Sequence, residues 1–179
     1  MSAARHQTKC PSNTISIAGS SDKSQCRTGF LMDVYDASAL SEISTMPDTS
    51  SLPLLGAGVV PTIDFPDEAG AAAFRAAVPK TPDQLFAARW TGCFRIGNAG
   101  LYTFCAYSDD GSFLYVDGVL AADNGGVHPA GQTCGAPVHL KAGIHALRVD
   151  FFENFGNTAM RALYTGHDTG NQLRLIKAV

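Results

Sequence analysis

The sequence has little charge and no concentration of positive charge. Of its 179 residues, 13 are Lys or Arg and 16 are Asp or Glu, which gives a formal net charge of −3. Without a basic patch there is nothing to attract a nucleic-acid backbone, so we expect no nucleic-acid partner. The longest apolar run is far shorter than the ~20 residues that cross a bilayer, and we expect no membrane insertion.

Motifs of common enzyme classes are absent as well. The sequence contains no Gly-x-Ser-x-Gly, His-Glu-x-x-His or Cys-x-x-Cys. The Gly-Ala-Gly at 56–58 lacks the third glycine of a dinucleotide motif and runs into Pro61. Asp109 and Asp110 are poorly placed as a glycosidase pair, since two such acids must flank one bond at about 5 to 9.5 Å. We therefore predict no catalytic residues and no enzyme activity.

The sequence also has no apolar leader and no Asn-x-Ser/Thr glycosylation acceptor. These two absences leave the compartment open. An intracellular location is expected if Met1 is the native start. An extracellular or cell-surface location is expected if a leader has been removed.

Five cysteines, an odd number, leave at least one thiol free or paired between chains. Cys10 and Cys26 bracket a short polar loop and form one candidate disulfide. Cys93 and Cys105 lie on the two arms of a predicted hairpin, on the same face, and form a second candidate. The alternative for that second pair is two reduced thiols packed under a loop. Cys134 lies in a glycine-rich segment and has no obvious mate.

Low charge and 18 glycines favour an all-β body. We divide the chain into an irregular N-terminal arm, 1–28, and one β-domain, 29–179. The domain is predicted to be an antiparallel β-sandwich or barrel of about ten strands with one or two short helices. One helix is predicted after Asp36 and an Ala-rich one over 68–78. Strands are predicted at 30–35, 59–65, 85–96, 119–122, 138–140, 144–152, 160–164 and 172–176, with 123–135 as a loop.

The most informative stretch, 94–118, alternates apolar and polar residues and predicts a three-stranded meander. Its second turn reads Ser-Asp-Asp-Gly and places Asp109 beside Asp110. Neighbouring acids at a tight turn repel each other unless a positive group binds there. The alternative is ordinary turn chemistry, in which the Asp side chains bond local backbone N–H groups. Of the other polar residues, Asp117 is expected to shape a hairpin and His145 to be a hydrogen-bonded structural histidine.

Four segments together resemble the protective-antigen-type (PA-fourteen) β-barrel domain family, which includes fungal adhesin lectin domains. The resemblance runs from residue 29 to the C-terminus, and the arm and the Ala-rich helix fall outside it. The segments are Gly-Phe-Leu at 29–31, Ala-Arg-Trp-Thr-Gly-Cys-Phe at 88–94, Ala-Gly-Leu-Tyr-Thr-Phe at 99–104 with Ser-Asp-Asp-Gly-Ser at 108–112 and Leu-Tyr-Val-Asp-Gly at 114–118, and Ala-Gly-Ile-His at 142–145 leading to Phe-Phe-Glu-Asn at 151–154.

The resemblance implies a binding module, since members of this family are mostly non-catalytic and several bind carbohydrate. In the adhesin branch, paired aspartates joined by a cis peptide ligate calcium, which holds sugar hydroxyls. By this likeness Asp109 and Asp110 are metal ligands and Asn154 falls near a third. Backbone carbonyls around Gly156 and Thr158 are expected to complete the shell.

Calcium prefers six to eight oxygen ligands from carboxylates, amides, carbonyls and water, which this set supplies. An aromatic wall would suit the apolar C–H faces of a sugar. The candidate ligand-binding residues are the aromatic side chains Tyr107, Phe113 and Phe155 and the loop residues Asp123, Asn124 and His128.

Two function classes therefore follow from the sequence. The first is a calcium-dependent carbohydrate-binding module with a glycan partner. The second is an intracellular structural or protein-interaction module, one subunit of a larger complex, whose N-terminal arm docks on a protein partner.

Overall fold

The structure, a computed structural model, describes residues 28–179. The segment 1–27, with the candidate pair Cys10 and Cys26, lies outside the described residues. Within residues 28–179, no helix is both long and apolar enough to span a membrane.

Within the described residues, twelve antiparallel strands form two sheets, in agreement with the all-β prediction. The strands are β1 Phe30–Asp36, β2 Leu54–Val60, β3 Asp64–Phe65, β4 Phe86–Ile96, β5 Gly100–Asp109, β6 Ser112–Val116, β7 Val119–Asn124, β8 Gly131–Cys134, β9 Val138–Leu140, β10 Gly143–Glu153, β11 Ala159–Gly166 and β12 Arg174–Leu175. The first sheet has the order β2-β1-β4-β10-β6-β7. The second has the order β12-β11-β5-β8, with β3 on β11 and β9 on β5. The predicted β-sandwich is confirmed.

Alternation along the strands builds the core between the two sheets. Side chains at every second position of a strand point inward. Trp90 and Phe94 on β4 and Phe104 on β5 are examples, and they are almost fully buried. The Phe94 and Phe104 rings, from opposite sheets, have centroids 5.7 Å apart in an edge-to-face arrangement. Phe151 on β10 extends the same core. Aromatic burial on both inner faces therefore fixes how the sheets stack.

The predicted meander over 94–118 is wrong in its pairing. β4 and β6 lie in the first sheet, whereas β5 between them lies in the second. The chain thus crosses the sandwich twice, and only β6 and β7 form the predicted hairpin, through the turn at Asp117 and Gly118. Alternation reports which side chains face inward, but it does not report whether the next strand pairs locally or crosses to the facing sheet.

The predicted helices are also corrected. No helix follows Asp36, whose carboxylate instead accepts the Ser38 amide at 2.8 Å in a local turn. The Ala-rich segment is divided into a 3-10 turn, Asp67–Ala69, and helix α1, Ala71–Ala77. Gly70 lies between them at φ 50°, a conformation that interrupts a right-handed helix.

Two strand predictions need adjustment. The predicted strand 59–65 is divided, because β2 ends at Val60 and β3 begins at Asp64. The predicted loop 123–135 contains β8, a short strand that pairs with β5. Its sequence, Gly-Gln-Thr-Cys, is too short and too polar to stand out from a loop.

Candidate metal and ligand-binding site

The Asp109–Asp110 corner joins the two sheets at one end of the sandwich. Asp109 is the last residue of β5 and Ser112 the first of β6, so the corner crosses from the second sheet to the first. The Asp109–Asp110 peptide bond is cis. At Gly111 a Cβ atom would lie 2.3 Å from the Phe152 ring and 2.8 Å from the Gly126 carbonyl oxygen, so the corner has room only for glycine.

Two loops close over the corner and donate backbone amides to it. Asp109 Oδ2 accepts the Ala130 amide at 3.1 Å, and Asp110 Oδ1 accepts the His128 amide at 3.1 Å. Asp110 Oδ2 accepts the Asn154 amide at 2.8 Å. The two carboxylates are only 6% and 2% exposed. The corner is therefore both buried and positioned by distant parts of the chain.

Glu153 joins the two aspartates, although the sequence did not single it out. One carboxylate oxygen from each of Asp109, Asp110 and Glu153 lies within 4.8 Å of the other two. Glu153 is fully buried, and among the described residues no hydrogen-bond donor in suitable geometry reaches either of its oxygens. A buried carboxylate without a donor is costly unless it is protonated or a cation is present.

The electrostatics of the cluster favour a bound positive charge. Burial and the Asp110 charge raise the pKa of Glu153 to about 9, against the opposing effect of the nearby Thr158 hydroxyl. Burial and the charge of Asp110 also raise the pKa of Asp109, although the Ala130 amide acts in the opposite direction. Neutralisation of the cluster is therefore favourable, by protons or by a metal ion.

The donor set fits a hard divalent cation. Three carboxylates that converge on one point offer the oxygen ligands that calcium prefers, and Glu153 leaves both oxygens free for such an ion. Within residues 28–179, no thiol or imidazole nitrogen belongs to this cluster, which disfavours softer metals.

Asn154, the expected third side-chain ligand, has another partner. Its Oδ1 accepts the Ile43 amide at 2.8 Å and so ties the loop after β1 to the end of β10. Thr158 is buried and Gly156 is exposed at φ 116°, on the loop that follows Glu153. Their role as carbonyl ligands stays a prediction.

The glycine-rich loop contacts the corner mainly through its backbone. Asp123 Oδ1 accepts the Gly125 amide at 3.0 Å within its own loop. Asn124 is buried and donates its Nδ2 to Ser108 Oγ at 2.9 Å. The His128 ring nitrogens lie 2.9 and 3.0 Å from the carbonyl oxygens of Pro129 and Asn124. Burial by itself lowers the pKa of the His128 ring, but the bonds to these two carbonyls have the larger combined effect. The pKa of His128 is therefore raised above its usual value.

The three aromatic candidates lie in different surroundings. Tyr107 is partly buried on β5, with the Arg161 guanidinium 5.6 Å from its ring centre. Phe113 packs against a small cluster that includes Phe152, on the outer side of the first sheet. Phe155 is 50% exposed on the loop after Glu153, and Val127, which the sequence analysis did not select, is 53% exposed on the loop that covers Asp110. Phe155 is thus the aromatic candidate that is free to meet a ligand.

The predicted Cys93–Cys105 pair is wrong. Cys105 on β5 is bonded to Cys134 on β8, and Cys93 has no disulfide partner within residues 28–179. Because β4 and β5 belong to facing sheets, alternation that turns their phenylalanines inward turns Cys93 and Cys105 to opposite outer faces. The observed disulfide holds β8 beside β5, next to the loop that donates the His128 and Ala130 amides.

Two important residues were missed for identifiable reasons. Cys134 lies on β8, which reads as a loop in the sequence. Glu153, however, carries a signal that could have been used. Strict alternation along β10 places it on the same face as Val149 and Phe151, and an acid at a core-facing position indicates a special role.

Solved structures of related shape were found. The PA14 domain of the MpAFP antifreeze protein has a TM-score of 0.68 at 14% identity, covering 83% of this chain and 87% of that chain. A PA14 sugar-binding domain from an RTX adhesin has a TM-score of 0.64 at 16% identity, covering 84% and 97%. The Epithelial Adhesin 6 A domain from Candida glabrata, solved in complex with Galb1-3GlcNAc, has a TM-score of 0.58 at 14% identity, covering 84% of each chain. At such identities these likenesses show the fold.

No curated protein sequence matches this chain. The family model of the PA14 domain, however, matches residues 59–171, which is more than half of the sequence. This match covers the acidic corner and both loops that close over it. The chain therefore belongs to the PA14 domain family.

Proposed function

We propose that this protein is a non-catalytic, calcium-dependent carbohydrate-binding module with a glycan partner. The observation that supports it most is the convergence of three buried carboxylates at one end of the sandwich, where no described donor meets the Glu153 oxygens in hydrogen-bond geometry. Such a cluster supplies hard oxygens and negative charge for a divalent cation. Two structural neighbours, a sugar-binding domain from an RTX adhesin and an adhesin domain in complex with Galb1-3GlcNAc, support the choice of ligand.

Different residues would hold the ion, orient its ligands and contact the sugar. The side chains of Asp109 and Asp110 would hold the ion, and the amides of Ala130, His128 and Asn154 orient those carboxylates. Bound calcium would supply open coordination positions for sugar hydroxyl oxygens. Phe155 and Val127, both exposed on the covering loops, offer apolar surface for the C–H face of a sugar ring.

The geometry of the acids supports a binding role without catalysis. Glycoside hydrolysis needs two carboxyl groups on opposite sides of one bond. Here the three acids converge on a single point and are at most 6% exposed, so they do not flank a space for a sugar linkage.

Binding to a panel of immobilised glycans, with calcium and with EDTA, tests the proposal. We expect the wild-type protein to retain at least one glycan in calcium and to release it in EDTA. The variant Asp109→Asn with Asp110→Asn should bind in neither condition. Asp168→Asn, which makes the same chemical change at the opposite end of the sandwich, is the matched control and should bind normally. Glycan binding that is equal in calcium and EDTA, or binding to no glycan at all, would contradict the proposal.

A further inference from the structure

We propose that Glu153, rather than Asn154, provides the third side-chain ligand of the metal site. This inference rests on the proposed calcium binding at Asp109 and Asp110. It departs from what the adhesin likeness implies, and it follows from the contacts of the two neighbouring side chains.

Glu153 is held in position by a strand of the sandwich. It is the last residue of β10, a strand paired on both sides, with β4 and with β6. Glu153 itself lies opposite Phe86 in the register with β4. Its side chain therefore points to the acidic corner from the framework of the sandwich. One of its oxygens lies within 4.8 Å of an oxygen on each of Asp109 and Asp110.

The Glu153 oxygens are not occupied by an ion pair and could therefore bind a metal ion. Asp150, three residues earlier on the same strand, is also buried, but Arg89 Nε lies 2.6 Å and Arg148 Nε 3.4 Å from its oxygens. Among residues 28–179, no Lys, Arg or His forms an ion pair with Glu153. The Thr158 hydroxyl and the Asp110 amide lie near its oxygens but do not meet them in hydrogen-bond geometry. A divalent ion bound by the two aspartates would supply the positive charge that an arginine supplies to Asp150.

The side-chain oxygen of Asn154, in contrast, is already used in a hydrogen bond. Its Oδ1 accepts the Ile43 amide at 2.8 Å, and its own amide donates to Asp110 Oδ2. Both contacts hold the loops together around the corner. Asn154 is thus a positioning residue, and its side-chain oxygen would have to leave Ile43 to reach an ion.

Calorimetric titration of calcium chloride into the wild-type protein, Glu153→Gln and Asn154→Ala tests the inference. Replacing the acid with an amide of the same shape removes one ligand charge, and calcium affinity should fall by at least about tenfold. Asn154→Ala loses the bond to Ile43 but keeps its backbone amide on Asp110, so it should lower the calcium affinity less than Glu153→Gln does. Wild-type affinity in Glu153→Gln would overturn the inference.

Thermal unfolding in EDTA separates a ligand role from a structural one. If Glu153 is a ligand, Glu153→Gln should melt at or above the wild-type temperature in EDTA, because a buried acid without a donor has been replaced by a neutral amide that can donate to the aspartates. Calcium should then raise its melting temperature less than that of wild type. Equal losses of melting temperature with and without calcium would indicate a merely structural role.

A crystal structure of the wild-type protein with calcium decides the question even if Glu153→Gln does not fold. A Glu153 oxygen 2.3–2.6 Å from the ion supports the inference, and an Asn154 oxygen in that place overturns it. The outcomes also separate the two proposals. Calcium ligation by Glu153 without glycan binding contradicts only the proposed function. A wild-type protein that binds glycan with calcium while Glu153 stays away from the ion contradicts only this inference.

Discussion

The two ends of the sandwich use acidic residues in opposite ways. At the acid end, formed by Asp109, Asp110 and Glu153, carboxylates crowd together, and no donor within residues 28–179 meets Glu153 in hydrogen-bond geometry. At the turn end, formed by Asp117 and Asp168, each carboxylate is matched to donors. The strands β5 and β6 connect the two ends. β5 runs from the turn end to Asp109, and β6 runs from Ser112 back towards Asp117.

The turn end shows how a structural acid is satisfied. Asp168 accepts the Gly97 amide at 2.6 Å and the Asn98 amide at 3.0 Å, together with the Asn98 side chain at 2.8 Å. These bonds lower the pKa of Asp168 even though slight burial raises it. Asp117 accepts His145 Nδ1 at 2.6 Å and the Ala146 amide at 2.9 Å.

The difference distinguishes acids that hold turns in place from acids whose placement suits a bound cation. Acids that fold with their own donors hold turns in place and need nothing from outside. Acids that are buried together without enough donors raise the free energy of the ligand-free protein, and a bound cation would lower it. The contrast can be sharpened or broken by perturbing each end separately.

The largest expected effect on stability comes from the Cys105–Cys134 disulfide, which spans a sequence separation of 29. Replacing both cysteines with alanine should lower the free energy of unfolding by about 3–4 kcal/mol, because the unfolded chain gains freedom. Calcium affinity should also fall, since β8 holds the loop that donates the His128 and Ala130 amides. Urea unfolding and calorimetry measure the two effects. An unchanged calcium affinity would show that the covering loop is held without β8.

The second prediction concerns calcium and the acid end. At a free calcium concentration of a hundred times Kd, the ion should stabilise the wild-type protein by about 2.7 kcal/mol. Asp110→Asn should lose most of this stabilisation because it removes a ligand charge. Asp168→Asn should keep it, since the turn end lies away from the proposed calcium site. Thermal melts in calcium and EDTA provide the comparison, and equal calcium responses in the two variants would remove the distinction between the ends.

The third prediction concerns Asp168 alone. Asp168→Ala should destabilise the fold by about 1–3 kcal/mol, because the amides of Gly97 and Asn98 lose a charged acceptor. Asp168→Asn keeps one acceptor oxygen and should cost less. Urea unfolding measures both variants, and calcium affinity should be unchanged in each. A loss of calcium affinity would show that the two ends are coupled.

The smallest expected effect is a pH dependence from His145. Burial lowers the pKa of its ring, but the bonds to Asp117 and the Lys141 carbonyl raise it more, so the net pKa lies above 6.5. The stabilisation is complete below about pH 6.5 and is lost as pH rises through the folded pKa. Because the pair is partly exposed, we expect under about 1 kcal/mol. Urea unfolding of wild type and His145→Gln at pH 5.5 and 8.5 should show a larger difference at the lower pH, and the reverse order would contradict this assignment.

The sequence was most informative where local pattern decides structure. Period-two alternation predicted the long strands that became β4 and β10, since burial of one face selects that pattern. The ordered motifs predicted the family, which the match over 59–171 confirms. Asp109 and Asp110 stood out because adjacent acids at a turn are unusual. Their metal-binding role stays a prediction.

The candidate site was only partly accessible from sequence because it is assembled from distant segments. Glu153 reaches the corner because β10 lies beside β6 in the first sheet, and Asn154 turns to Ile43 because the loop after β1 passes over it. Neither contact leaves a trace in the local pattern. The same reason explains the wrong pairing of Cys93 with Cys105.

By itself, the amino-acid order determined an all-strand body, the inward faces of its long strands and a pair of acids at a sharp corner. Those features depend on alternation and turn chemistry, which act over a few neighbouring residues. Only the tertiary structure decided which strands share a sheet, that Cys134 meets Cys105, and that Glu153 completes the acidic cluster. Strand pairing between residues far apart is settled by the packing of the whole sandwich, and no local preference specifies it.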